Sequence, residues 1–271
     1  MKLVTEQREL EEVLNCLKQD IPNCLYIYID LKKYGLENPH ITLWISRKDG
    51  KLNLVVMKYH DGFQLYSIEQ TWNRQEVLQL IEDYDPDRIL GNEASVCRLE
   101  CELAEKYKLT HGAILCRTQD QLWTRPQNYR CVIASREDIP EIADLMLTEP
   151  EFGTAYSKAE LIAQLEERYR TKMGRSIIFR DQGEIVGHMA TFAEIDGIAV
   201  LSGSVVKNAY RQTDCYDAMC DEFMDLLIRQ EHKVVFFAST VKRQIKCYSR
   251  LFKICAQYGK LTKITETREE V

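Results

Sequence analysis

Residues 198–206, Ile-Ala-Val-Leu-Ser-Gly-Ser-Val-Val, are a strand-like run that passes after three residues into Tyr210-Arg211-Gln212-Thr213-Asp214-Cys215-Tyr216. Helical periodicity then continues to about residue 229. A strand of this apolarity must lie inside a sheet, and the helix that follows must cover one of its faces. The loop between them gathers backbone N–H groups at a helix N-terminus, an arrangement that receives anions such as a pyrophosphate. A chain with this element is therefore a layered sheet-and-helix protein with one ready-made anion site.

The rest of the composition narrows the class. The 271 residues suffice for one large domain or two ordinary ones, and 45% apolar with 29% charged residues is a normal globular balance. A net charge of −6 gives no general attraction to nucleic acid or anionic membrane. No stretch approaches the roughly 18 consecutive apolar residues of a membrane span. The first ten residues are too charged for a signal peptide, which points to the cytoplasm. Ten cysteines show no disulfide framework. Cys97 and Cys101 stand one helical turn apart, but no Cys-x-x-Cys or His-x-x-x-His partner completes a metal set, so buried reduced thiols and no metal are expected.

The polar break at 124–128, with its proline, divides the chain into 1–123 and 124–271. Before it, spacing predicts a helix over 6–17, strands over 25–30, 41–47, 52–59 and 63–68, a helix over 74–83, a strand over 88–90 and a helix over 94–107. Asp49-Gly50 between two alternating runs is a hairpin turn. After the break, a strand over 129–134 leads into Ser135, whose Asp138 three residues on predicts a capped helix to about 148. A helix over 158–169, strands over 176–180, 185–193 and 198–206, a helix over 213–229, a strand over 233–238, a helix over 244–252 and a strand over 254–264 follow. The class is α+β, a mostly antiparallel sheet flanked by helices.

In this order, with Val206 four residues before Tyr210, the segment resembles the acyl-CoA loop of the GNAT superfamily of N-acetyltransferases. That motif reads Arg/Gln-x-x-Gly-x-Gly/Ala; Arg211 fits it, while Asp214 and Tyr216 replace its two small residues. The resemblance covers about 129–264, and the N-terminal half is similar to a shorter, diverged copy of the same domain. It implies acetyl-CoA as co-substrate and a small-molecule amine as acceptor. It also places the backbone of Ser204, Val205 and Val206 along the pantetheine arm. Arg211, Gln212, Thr213, Asp214, Cys215 and Tyr216 would then face the phosphates. Tyr248, in Gln-Ile-Lys-Cys-Tyr, resembles the family's tyrosine near the CoA sulfur, and Ser239 stands where an asparagine often contacts pantetheine.

The two replaced residues open a second reading. A Cβ crowds the phosphates and limits the torsions a glycine would allow. Asp214 adds a like charge that, at about 4 Å and an effective dielectric near 20, repels a phosphate charge by about 4 kcal/mol before solvent screening. Asp214 also suits the positive end of its own helix, with Thr213 beside it as an N-cap. A non-catalytic GNAT-fold module with a decayed CoA loop is the alternative, and a longer acyl donor a third. For the general base, Glu194, Asp196, Ser202 and His188 lie on or near the central strands, and no spacing selects one. Glu149 and Glu151, between the first two helices of the C-terminal half, would suit a cationic amine.

Overall fold

The computed structural model describes residues 1–118 and 130–264. The expected break at 124–128, the division between 123 and 124, the first residue of the strand expected from 129 and the tail from 265 lie outside the described residues. From the N-terminus run β1 (Lys2–Leu3), α1 (Gln7–Leu17), α2 (Ile21–Tyr34), β2 (Ile41–Lys48), β3 (Lys51–Tyr59) and β4 (Gly62–Ser67). Then come α3 (Arg74–Tyr84), β5 (Arg88–Asn92), α4 (Glu93–Cys97), α5 (Glu100–Leu103) and β6 (Tyr107–Arg117). The second half supplies β7 (Val132–Ile133), α6 (Ile139–Leu147), α7 (Pro150–Gly153), α8 (Lys158–Thr171), β8 (Ser176–Asp181), β9 (Glu184–Ile195) and β10 (Ile198–Val206). It ends with α9 (Cys215–Met224), β11 (Val234–Ser239), α10 (Lys242–Tyr248) and β12 (Lys253–Lys263). The protein is α+β, with mostly antiparallel strands. Among the described residues no helix is long and apolar enough to cross a membrane.

Three expectations are corrected. Residues 25–30, expected as a strand, lie in α2, where Leu25, Ile27, Tyr28, Ile29 and Leu31 are all buried. A helix buried on nearly every side reads as a continuous apolar run, which periodicity cannot separate from a strand; Pro22 in the first turn sets its start. The single helix expected over 94–107 is two short ones, α4 and α5, and it is followed by the unpredicted strand β6. By contrast, the local turn chemistry holds. Asp49 and Gly50 both take positive φ, 52° and 77°, as a two-residue hairpin turn requires. Ser135 and Asp138 form a reciprocal capping box ahead of α6.

The chain forms two compact units, one of residues 1–115 with 238–250 and the segment from 254, the other of 116–237 with 251–253. In the first unit the strands lie in the order β1-β2-β3-β4-β5-β12-β6. β2, β3 and β4 form an antiparallel meander, and β5 returns parallel to β4 after α3. β12 joins here, antiparallel to β5 with Leu261 opposite Ile89, and buries Leu261 among Val77, Ile89 and Val96. The expectation that the last strand belongs with the C-terminal half is the third correction: alternation predicts a strand but not which edge it completes.

In the second unit the order is β11-β10-β9-β8-β7. β8, β9 and β10 are again an antiparallel meander, and β11 again returns parallel after a helix, α9. The two units thus repeat one topology. Ile139, Ile142, Leu145 and Met146 of α6 and Leu161 and Leu165 of α8 pack on Ile178, Ile185 and Val205. In the first unit the helix N-terminus after β4 is filled by the chain itself. Asn73 caps α3 by accepting from the Gln75 N–H at 3.1 Å, and the chain's terminal ammonium sits 2.7 Å from Glu76.

Candidate functional site in the second unit

β10 is held on one side along its length and on the other only at its start. Ile198, Ala199 and Val200 pair with Val234, Val235 and Phe236 of β11, and the register ends there. Toward β9 the pairing continues to Val206 opposite Gly187, through an irregularity between Ser202 and Val205. Three steps on β10 there match two on β9, so one residue is extra, a β-bulge. Gly203 lies in it with φ 63°, a conformation in which an L side chain is strained. The bulge lies where the pairing with β11 has stopped, so Ser204, Val205 and Val206 are in a stretch of β10 whose register is with β9 and not with β11. Val205 and Val206 are buried, and the Ser204 hydroxyl is buried with no hydrogen-bond partner among the described residues.

The loop after β10 is tightly wound. The N–H groups of Tyr210, Arg211 and Thr213 donate to the carbonyls of Lys207, Asn208 and Tyr210 at 2.9, 3.3 and 3.1 Å. The Cys215 N–H donates to the Thr213 hydroxyl at 3.2 Å, and that hydroxyl donates to the Tyr210 carbonyl at 2.7 Å. Of the six residues expected at the phosphates, Arg211, Thr213 and Cys215 have their N–H groups engaged inside the loop; these bonds leave out Gln212 and Asp214. Asp214 is exposed, with φ −76° and no side-chain cap bond, so Thr213 and not Asp214 supplies the capping oxygen. No residue from 207 to 216 takes a positive φ. The torsional objection to Asp214 and Tyr216 therefore falls away, and charge and bulk remain. Cys215 is fully buried and its thiol is pushed up to about 11 by that burial.

Arg211 is already paired. Its Nε donates to the Val206 carbonyl at 3.2 Å, and its guanidinium forms an ion pair with Glu149. Glu149 sits at the start of α7, fixed through its own N–H to the Met146 carbonyl at 3.0 Å and through its carbonyl to Phe152 and Gly153. The Glu151 side chain lies outside the described residues. Nearby, Tyr210 donates to the Asp181 carboxylate, which raises the phenol to about 12.

The candidate bases have structural partners. Glu194 accepts from Arg175, Lys233 and Thr191, and Glu231 joins the same two cations. Burial alone would raise its pKa, but the bonds from Arg175, Lys233 and Thr191 outweigh that and hold it at about 2. His188 is wholly buried; burial lowers it to about 4, and its Nε2 lies 2.9 Å from the Ser176 hydroxyl. Its ring stands against the bulge, with Cε1 3.5 Å from where a Cβ on Gly203 would be. The Ser202 hydroxyl accepts from Arg168 at 3.3 Å. Asp196 occupies the positive-φ turn with Gly197.

Tyr248 and Ser239 belong to the first unit. Tyr248 is buried at the last turn of α10. Ser239 ends β11, where its hydroxyl donates to Gln244 at 2.7 Å and accepts from the Val241 N–H at 2.9 Å, pinning the turn into α10.

No family model and no curated protein matches the sequence. Solved structures do. A Drosophila protein from structural genomics aligns over 97% of this chain and 98% of its own at 13% identity, with a TM-score of 0.66. A GNAT-family acetyltransferase from Colwellia psychrerythraea aligns over 97% and 99% at 10% identity, TM-score 0.63. A tandem GNAT protein from the clavulanic acid biosynthesis pathway aligns over 96% and 97% at 11% identity, TM-score 0.58.

The chain has the GNAT acetyltransferase fold.

At these identities what is shared is backbone architecture, and the side chains of the site must be judged on their own geometry. The bulged β10, its parting from β11 and the loop opening α9 lie together in the second unit. Reading the sequence identified Arg211 and Glu149 singly but missed their pairing, which joins residues 62 apart. It also missed the bond from Arg168 on α8 to the Ser202 hydroxyl, which joins residues 34 apart.

Proposed function

We propose that the protein is an N-acetyltransferase that moves an acetyl group from acetyl-CoA to the amine of a small molecule or amino-acid-derived acceptor. The observation that carries this reading is the end of β10–β11 pairing at Val200 and Phe236, followed by the Gly203 bulge. On the side away from β9, backbone groups of Ser204 and Val205 would thereby be open to an extended amide-bearing arm, while the Val206 carbonyl already accepts from Arg211. Arg211 and the loop to Tyr216 would hold the phosphates, with the positive end of α9 behind them. The neutral amine attacks the thioester carbonyl directly: a C–N bond forms, the C–S bond breaks, and the amine's proton leaves to solvent or a base. Tyr248 is assigned to protonate the departing thiolate, and Ser239 to hydrogen-bond the arm. No acyl-enzyme is invoked, since the cysteine near the loop, Cys215, is buried and held as a thiol. A cytoplasmic protein with a small amine as its partner is the setting this reading implies.

A second reading rests on specific contacts. Asp214 projects at the helix N-terminus, and Arg211 is already bound to Glu149 and Val206. Both favour a GNAT-fold module that does not bind CoA. Titration of the protein with acetyl-CoA by isothermal calorimetry separates the two. Saturable micromolar binding supports the enzyme, whereas no heat and no thermal stabilisation at millimolar ligand removes it.

A further inference from the structure

Residues 232–265 carry eight of the chain's 36 Lys and Arg and none of its 42 Asp and Glu. Cations in this stretch can therefore pair only with distant residues. Lys233 and Lys263 do so, with Glu194 and Asp85. Lys242, Arg243, Lys246 and Arg250 do not: among the described residues their side chains make no ion pair, hydrogen bond or ring contact. Elsewhere on the surface cations are answered by carboxylates, as Arg47 is by Glu12, Lys158 by Asp144 and Lys207 by Glu184.

All four lie in the first unit, three on α10 and Arg250 in the turn that follows it. The orientation of α10 is set by its anchors. Gln244 is tied to Ser239 and Tyr248 is buried, which turns that side of the helix inward. Lys242, Arg243 and Lys246 stand on the other side, at the spacings that share a helix face, and they and Arg250 are exposed. A helix of this length spans about 10 Å, close to the Debye length of about 10 Å at 0.1 M salt, so the four charges act as one patch.

The surroundings of the patch decide among anions. α10 exposes no large apolar side chain that would enter a bilayer. Its one aromatic residue, Tyr248, is buried and cannot stack on a base. A long polyanion running beyond the patch would meet a chain that carries all its carboxylates elsewhere. A short acidic segment meets none of these obstacles. Carboxylates two residues apart on an extended peptide repeat at about 7 Å, and Lys242 and Lys246 stand about 6 Å apart along the helix.

We propose that this face of α10 docks an acidic peptide segment of a partner protein. Alternate Asp or Glu side chains lie against Lys242 and Lys246, and those beside them lie against Arg243 and Arg250. The surface needs no acetyl-CoA, so it stands or falls separately from the acetyltransferase reading.

The test is fluorescence anisotropy of labelled octaglutamate, blocked at both ends, titrated with the full chain at low salt. Octaglutamine is the uncharged control. Saturable binding of octaglutamate is expected, about tenfold or more tighter than octaglutamine and several-fold weaker at high salt. Lys242→Glu with Lys246→Glu should weaken it about tenfold, and so should Arg243→Glu with Arg250→Glu. Lys51→Glu with Lys108→Glu, an equal change of net charge at exposed residues outside the patch, should have little effect. All these side chains are exposed, so melting temperatures should hold. Unlabelled 3′,5′-ADP, single-stranded DNA and phosphatidylserine vesicles serve as competitors. No saturable binding of octaglutamate, indifference to both α10 double variants, or an equal loss from the control pair overturns the proposal. Displacement by any of the three competitors at a lower concentration than unlabelled octaglutamate overturns it too, and assigns the patch to that anion.

Discussion

The ion pair between Arg211 and Glu149 competes with any phosphate for the same guanidinium, so Glu149→Gln should tighten acetyl-CoA binding. The size follows from exposure. The Arg211 side chain is 46% exposed and that of Glu149 26%, so the pair lies near the surface, where such pairs contribute about 0.2–1 kcal/mol. Releasing Arg211 from it therefore lowers the dissociation constant by up to about fivefold, 1 kcal/mol being about 1.7 RT. Arg211→Gln acts in the opposite sense by removing the cation. In the double variant the gain from Glu149→Gln should largely vanish, because it acts through Arg211; that non-additivity is the signature of coupled neighbours. The gain should also shrink at high salt. Calorimetric titration of the four proteins at low and high salt reads all of this. If Glu149→Gln leaves affinity unchanged at low salt, or its benefit survives intact in the Arg211→Gln background, the competition does not exist. A positive result has a consequence for order of binding, since phosphate at Arg211 would free the Glu149 carboxylate to face a cationic amine.

Asp30, buried on α2 with Oδ1 unpartnered among the described residues and Oδ2 bonded to Gln64 at 2.8 Å, is raised to about 6 by its burial. Its folded pKa lies above the unfolded value of 3.8, so stability falls as pH rises from about 4 to about 6, by about 3 kcal/mol at most. Asp30→Asn should therefore stabilise the protein by about 1 kcal/mol in urea unfolding at pH 7, after the cost of its new amide donors, and lose that advantage at pH 4. No pH dependence in the difference would refute the assignment. Gly203→Ala should cost about 1 kcal/mol of strain at its positive φ, a fall in melting temperature of about 2–4 °C, and should weaken acetyl-CoA by disturbing the bulge; an unchanged melt means the bulge tolerates a side chain. Tyr248→Phe should lower turnover well before it weakens CoA binding, and full activity would leave Tyr248 as packing only. Asp214→Asn keeps the size of the side chain and removes its charge. It should tighten acetyl-CoA if repulsion limits binding, whereas a gain seen only with Asp214→Gly would assign the limit to bulk.

What the sequence disclosed is the part governed by neighbours along the chain. The 198–206 strand coincides with β10, the Asp49-Gly50 turn has the two positive φ values its residues favour, and Ser135 caps through Asp138 as its spacing requires. Each is decided within a few residues. α2 was hidden because burial on every side erases the period that distinguishes a helix. β6 was hidden because Lys108, Thr110, His111 and Gly112 dilute its alternation before the apolar residues 113–115 begin. The place of β12 beside β5 is a choice among sheet edges that no local pattern encodes.

The site divides along the same line. The loop's position was legible, since a strand, a short link and a helix are consecutive. The state of its groups was not, because each depends on a distant partner: Glu149 for Arg211, Asp181 for Tyr210, Ser176 for His188. Asp214 shows how the structure changes the question that the sequence poses. Where a motif has glycine, a substitution suggests a backbone that cannot be made, but Asp214 holds φ −76° and the loop winds without any positive φ. A backbone that asks nothing special of its residues leaves affinity to electrostatics, and electrostatics here is a balance between one exposed carboxylate and one arginine that another carboxylate already holds. Such a balance can be shifted by single side chains at the surface without any change of fold, which is why the fold of this chain says less about its activity than the charges on residues 149, 211 and 214 do.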